Sequence, residues 1–509
     1  MPTADRILGN PPAGGHQTHR LHPRLGDPQP IEWILGRTSG SSAPRIEGII
    51  PSLPGRSWDR STNRIAMTGE RETFGSRLGL LATMIGVAVG LGNVWRFPYM
   101  VGKFGGASFV LFYVAIVVLI GVPVLIAEWA LGRATRRGPV GAYARAGLPG
   151  GRFLGWFFFA VMIAATGYYS NALGWVLFHA IGQLAHLLGL PFDAAVVLPP
   201  ESGFDPRAFA LQAAGVAAIA GACVAVLLKG LRGGIEVASK AIMPVLLLSL
   251  LVLIARVLTL PGAAEGVSWY ILKFDAAALT PTVMVAALGQ ACFTLSIGGT
   301  FMVVYGSYLN EREALARNAV LTAFGDTAAG LLAGLAILPA VIALGLEPGA
   351  GPGLLFHTLP QVFDAIPGGS LFGLIFYLGL LGAAYLSAIA AFEVMVAGLT
   401  DNTRLERRQA TFLLAGIVLL AAMPSMTNLR VFTIWDLTFG SGMQTFGALC
   451  AVLTLGWCVE RAAVLEQLSD VDLPWRRWLA LWLRWVVPVA VLAVGGWWLA
   501  SDVLGLVSL

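Results

Sequence analysis

Charge is what this sequence has least of. Asp, Glu, Lys and Arg make up 12% of its 509 residues, where a water-soluble domain carries about a quarter. That shortage excludes an ordinary soluble globule. Histidine is scarce too: there are six, and His16, His19 and His22 fall in the first 66 residues. There is no H-E-x-x-H pair, no redox dithiol and no convincing nucleophile elbow, so nothing in the chain points to an enzyme. The four cysteines, Cys223, Cys292, Cys450 and Cys458, sit in apolar stretches and read as small core residues rather than a disulfide or metal site. A net charge of +5 gives no reason to expect nucleic acid, because the arginines lie at the ends of apolar runs.

What fills the chain instead is apolar. Hydrophobic residues account for 57% of it, in runs that reach the roughly 18 residues needed to cross a bilayer. The 62 glycines and 28 prolines suit helix breaks and close helix contacts. Residues 1–66 differ. They are rich in Pro, Gly, Ser and Arg, lack a signal-peptide core, and read as a disordered cytoplasmic tail or a misassigned start before Met67.

The pattern predicts an all-α membrane protein of eleven spans. They run over 77–101, 107–134, 153–187, 208–229, 236–259, 281–308, 314–345, 369–400, 410–425, 431–459 and 479–503. Basic residues gather in alternate loops: Arg133, Arg136, Arg137 and Arg145; Lys229 and Arg232; Arg404, Arg407 and Arg408. By the positive-inside rule the N-terminus is cytoplasmic.

Two spans look interrupted. The first holds Gly86 and Gly90-Leu-Gly-Asn93; the sixth holds Gly289-Gln290 and Ser296-Ile-Gly-Gly-Thr300. Unpaired backbone at membrane depth is tolerable only where it is buried in protein or lines a cavity. Five spans separate the two breaks. That spacing predicts an inverted repeat, 77–259 against 281–459 with an extra helix over 479–503, and a ligand site where the broken helices meet.

Arg77-Leu-Gly-Leu80, then Gly86-Val-Ala-Val-Gly-Leu-Gly-Asn-Val-Trp-Arg-Phe-Pro98, closely resembles the first-span signature of the neurotransmitter:sodium symporter family. The likeness continues through Gly121-Val-Pro-Val-Leu-Ile-Ala-Glu-Trp-Ala-Leu-Gly-Arg133, Tyr168-Tyr169 and Gly289-Gln-Ala-Cys-Phe-Thr-Leu-Ser296, and covers about residues 70–500. It implies sodium-coupled import of an amino acid across a bacterial inner membrane by alternating access. The transporter domain would be residues 67–509, acting as a monomer or weak dimer in the bilayer. A non-transporting amino-acid sensor of the same fold is the alternative.

The resemblance assigns site residues. The Leu91 and Gly92 amides and the Tyr169 hydroxyl would hold the substrate carboxylate, as helix ends at a break favour an anion. Carbonyls around Ala88, Phe293, Thr294 and Ser296 would receive the ammonium. Gly90 stands where monoamine carriers have an aspartate, which points to an amino acid. Ala165, Gly299 and Ala391 are small where leucine-transporting members are bulky, and Ser387 adjoins them. The space predicts a large apolar or aromatic substrate.

One or two sodium ions are implied. The first would take the Ala88 carbonyl, Asn93, Thr294 and Asp326, whose carboxylate makes chloride dispensable. The second would take carbonyls of Gly86, Val89 and Ala383 and the Ser387 hydroxyl. Leu386 replaces a threonine ligand there, which leaves the ion count open. Arg96 and Asp436 match an outer gate pair with Phe293 as lid, and Arg71 and Asp401 an inner pair. Glu128 reads as a polar partner for the broken helices. Gly234 and Pro244 mark a place in the fifth span for local unwinding or an ordinary kink.

Overall fold

The computed structural model describes residues 74–349 and 353–498. The tail over 1–66, Arg71 and the last residues of the eleventh span lie outside the described residues. Among those described, every regular element is helical. Nine helices among the described residues are long and apolar enough to cross a membrane: Ala107–Thr135, Gly151–Leu187, Pro206–Leu227, Leu231–Val257, Leu315–Ala343, Gly369–Asn402, Arg407–Met426, Leu429–Cys458 and Leu473–Gly496. A tenth is a bent pair, Arg77–Ala88 and Gly92–Lys103, with 51° between its halves. The expected sixth span is two short helices, Pro281–Thr294 and Phe301–Ser307. The longer has 14 residues and at about 1.5 Å per residue is too short to cross alone. Each run of five therefore opens on a broken helix.

The helix starts follow from local chemistry. Ser76 accepts from the Gly79 amide at 3.0 Å to begin the first helix. Asp205 and Thr280 cap the starts of the fourth span and the sixth, each followed by a proline. Glu406 and Gln409 form a reciprocal capping box at the ninth. Such caps occupy the amides that a helix start leaves unpaired.

The third and eighth helices, 37 and 34 residues long, pack along each other and form the wall against which the broken helices stand. The first half-helix lies on the fifth, seventh and eighth helices, and Phe301–Ser307 lies on the second. Outside this core the helices expose large apolar side chains, among them Val118, Leu248 and Phe324, the last 72% exposed. A surface of that kind suits lipid, not water. Trp457, Trp478, Trp482 and Trp485 cluster beside Arg484 near the start of the last helix, a composition found at membrane interfaces. All four cysteines are free thiols; Cys223 and Cys292 are buried, as core residues should be.

Candidate functional site at the two helix breaks

The first break centres on Val89 and Gly90. Helix ends at Ala88, Val89 turns extended, and a π-helical turn over Gly92–Arg96 restarts it. Wide turns of this kind collect at functional sites. Asn93 fills the gap: its Oδ1 accepts from the Gly90 amide at 3.1 Å. Its Nδ2 donates to the Asp326 carbonyl at 2.9 Å and to the Asp326 carboxylate at 2.7 Å. The Thr294 hydroxyl faces the same carboxylate and lies 3.1 Å from the Tyr113 hydroxyl. Asp326 is fully buried and its second oxygen has no partner. Buried acids at membrane depth are costly and serve function by default. Asn93, Thr294 and Asp326, expected at the first ion, thus come together beside the break. This set of hard oxygens, one of them an unpartnered carboxylate oxygen, fits an alkali cation.

The second break spans 295–300. It falls at the expected Ser296-Ile-Gly-Gly-Thr300, whereas Gly289 and Gln290, read with it, sit inside the continuous helix Pro281–Thr294, Gly289 with open space where a side chain would go. Ser296 at φ +51° and Gly299 at φ +73° turn the chain left-handed. Glu128 Oε1 accepts from the Gly298 and Gly299 amides, each at 2.8 Å, so the expected polar partner of the broken helices is in place. Two further bonds join the breaks: Gln290 Nε2 donates to the Gly92 carbonyl at 2.9 Å, and Ser296 Oγ to the Val87 carbonyl at 3.1 Å.

Between the breaks lies a cavity of about 470 Å³ counting its mouth. Ala88, Gly90, Gly92, Ala165, Tyr169, Phe293, Ser296, Ser387 and Ala391 line it. The Leu91 amide donates to the Tyr169 hydroxyl at 3.3 Å, which sets two of the three expected carboxylate donors side by side. Gly299 does not line the cavity. A side chain there would meet the Tyr143 hydroxyl and the Gly447 backbone. That position is glycine for backbone reasons, so it drops out of the volume argument. Met162, Thr166, Phe301 and Gln444 do line the cavity and went unread in the sequence. Met162, Thr166 and Tyr169 follow one face of the third helix, a signal visible only once that face is known.

The Ser387 hydroxyl lies 3.2 Å from both the Val87 and the Val89 carbonyls. Leu386 Cδ1 lies 3.0 Å, and Ser239 Oγ 3.5 Å, from where a side chain on Gly86 would begin. The site expected for a second ion therefore has a methyl group where a hydroxyl ligand was missing, and a serine from the fifth helix close by. Ala383 is buried beside them on the eighth helix.

At the arginine-poor end, the Arg96 guanidinium lies over the Phe293 ring at 4.6 Å and donates to Ser441. Asp436 Oδ1, the Tyr168 hydroxyl and the Phe293 ring crowd the bare Cα of Gly440. Expected gate residues thus gather in one place, with Ser441 and Tyr168 added to them. At the other end Asp401 Oδ2 accepts from the Gly138 amide at 2.9 Å. A further network there was not read from the sequence. Glu393 binds Arg407 at 2.5 Å and Tyr308 at 2.6 Å, and Arg407 reaches the Leu227 carbonyl. The signal was an acid inside the eighth span, passed over because Arg407 served only as a loop marker.

Gly234 packs directly on the Val226 carbonyl, and the fifth helix continues through Pro244 to Val257.

Two helices broken at matching places, peptide groups opened toward a shared cavity and a buried acid beside it define a secondary transporter of the broken-helix class. Comparison with known proteins narrows this. The chain belongs to the sodium:neurotransmitter symporter family, whose model matches residues 71–194 and 211–496. It is 31% identical to an uncharacterised sodium-dependent transporter of Haemophilus influenzae, over 84% of this chain and 97% of that one. It is likewise 31% identical to the sodium-dependent transporter YhdH of Bacillus subtilis, over 83% and 96%. The crystal structure of MhsT in complex with L-phenylalanine superposes with a TM-score of 0.74 at 34% identity, over 84% of this chain and 99% of MhsT.

Proposed function

We propose that this protein imports a large apolar or aromatic amino acid together with sodium, by alternating access across a bacterial inner membrane. One observation carries the reading. The Tyr169 hydroxyl, accepting from the Leu91 amide at the helix break, keeps its own proton for a carboxylate beside a cavity lined by the small Ala165 and Ala391. None of the cavity's lining residues is charged, so a charged substrate side chain would stay unpaired there. The likeness to MhsT, whose crystal structure holds L-phenylalanine, supports an aromatic substrate.

In this mechanism the substrate carboxylate sits at the first break and Asp326, Asn93 and Thr294 hold sodium next to it. Asp326 supplies the negative charge locally, so chloride is not required. Ion and substrate each complete the other's site, and both favour the closed state in which Phe293 covers them. Arg96 and Asp436 close one side. Arg71 and Asp401 close the cytoplasmic side, where the N-terminus lies.

The test is binding and flux with purified protein. Tryptophan, tyrosine or phenylalanine should raise the melting temperature in sodium but not in potassium, equally in sodium gluconate and sodium chloride. In proteoliposomes an inward sodium gradient should drive their uptake. Tighter binding of glycine or alanine than of tryptophan would refute the size argument, and binding without flux would indicate a sensor.

The second ion site gives its own prediction. Leu386→Thr supplies the absent hydroxyl, and the sodium dependence of substrate binding should become steeper, with a Hill coefficient moving toward two. An unchanged curve would mean that another oxygen, with Ser239 Oγ nearest, already completes the site.

A further inference from the structure

The cavity lining includes a buried amide that neither the carboxylate site nor the ion sites use. Gln444, from the tenth helix, lines the cavity, and its Oε1 is buried without a hydrogen-bond partner. A buried acceptor left unpaired in an apolar setting is costly. The stem of Gln444 is held by close packing: its Cα and Cβ each lie 3.1 Å from where a side chain on Gly298 would begin.

The surroundings set which partner this oxygen awaits. Thr166 also lines the cavity, and its hydroxyl donates to the Met162 carbonyl at 2.7 Å. Its proton is therefore spent and its lone pairs remain. Thr300 donates to Met162 Sδ at 3.3 Å, fixing that wall. Met162 lies two helical turns from Tyr169 along the third helix, a displacement of about 10 Å at the usual rise. Thr300 and Gly298 belong to the second break, so Gln444 and Met162 stand toward the cavity end removed from the carboxylate donors. That end offers acceptors, an aromatic wall in Phe301 and no charge.

We infer that Gln444 determines side-chain specificity by accepting a hydrogen bond from the N–H of an indole or the O–H of a phenol, with Phe301 and Met162 flanking the ring. The inference rests on the amino-acid reading above and sharpens it: tryptophan or tyrosine is preferred to phenylalanine, which fills the space but leaves Oε1 unpaired.

The experiment measures sodium-dependent binding to the purified full-length protein by calorimetry. Its ligands are tryptophan, 3-benzothienylalanine (an isostere with sulfur in place of N–H), tyrosine and phenylalanine. Wild type should bind tryptophan about tenfold more tightly than the benzothienyl isostere, and tyrosine more tightly than phenylalanine, as one buried hydrogen bond implies. In Gln444→Met both preferences should collapse. Gln444→Asn, shorter by one methylene, should weaken the preferences without abolishing them. Equal wild-type affinities for tryptophan and its isostere would overturn the inference even if Gln444→Met does not fold. So would a preference that persists in Gln444→Met. Either result leaves the amino-acid reading standing, because phenylalanine still binds in sodium. Failure of every aromatic amino acid to bind would remove that reading and the inference together.

Discussion

Glu128→Ala should abolish sodium-dependent amino-acid binding and lower thermal stability by more than any other single change at the site. The acid is fully buried on the second helix, and one of its oxygens accepts two backbone amides, Gly298 and Gly299, at 2.8 Å each. Those amides exist as free donors only because the sixth helix is broken over 295–300. A helix start leaves donors unpaired, and at membrane depth no bulk water replaces a lost acceptor. A buried donor left without its acceptor costs about 1–3 kcal/mol, so stranding both amides removes several kcal/mol. The break then has no reason to keep its shape. Ser296, held left-handed and bonded to the Val87 carbonyl, depends on that shape, as does the packing of Gly298 on Gln444.

Glu128→Gln separates this role from proton carriage. Its amide oxygen can accept the same two bonds with less strength, so binding should fall about tenfold rather than vanish. The measurement is a melting curve with and without tryptophan in sodium, for both variants. A Glu128→Ala protein that melts and binds like wild type would show that the break holds itself. If Glu128→Gln instead binds normally but loses flux, the acid is a proton carrier.

The two breaks differed in how much of them could be read from sequence. At the first, Gly90-Leu91-Gly92 falls where the helix stops; Val89 makes the turn with an extended backbone, and the glycines leave room for Tyr169, Ser387 and Phe293. At the second, Ser296-Ile-Gly-Gly-Thr300 coincides with the break, while Gly289, read with it, is an ordinary helical residue. Composition marks where a break is permitted; the acceptor that stabilises it, Glu128, comes from another helix. Gly299 fails as a volume marker for a related reason: its φ of +73° and its contact with Tyr143 demand glycine, whatever the ligand. Ala165 and Ala391 do face the cavity because the third and eighth helices run unbroken past it and keep their faces. Gln444 could not be found in the sequence. Its relevance depends on the rotation of the tenth helix, which is altered by a π-helical stretch over Asp436–Gly442 just before it.

Gly90→Ala should weaken amino-acid binding at least a hundredfold while leaving the fold intact. A methyl at this position would begin 2.5 Å from Ser387 Oγ and 2.7 Å from the Tyr169 hydroxyl. Both groups must give way, and each belongs to a binding set. Tyr169 would leave the Leu91 amide, another of the three expected carboxylate donors. Ser387 would leave the Val87 and Val89 carbonyls, and its hydroxyl and the Val89 oxygen are both expected at the second ion. One methyl therefore strikes substrate and sodium together, a loss of about 2.7 kcal/mol or more at a hundredfold. The backbone at Gly90 is not left-handed, so the effect comes from collision and not from strain. Two controls isolate it. Gly289→Ala places the same methyl in open space inside a helix and should stabilise the protein by about 0.5–1 kcal/mol without touching affinity. Tyr169→Phe should cost affinity alone but add little on top of Gly90→Ala, since both act through one contact. Full additivity in that double-mutant cycle, read by calorimetry in sodium, would mean that glycine at position 90 serves something other than the space shared by Tyr169 and Ser387.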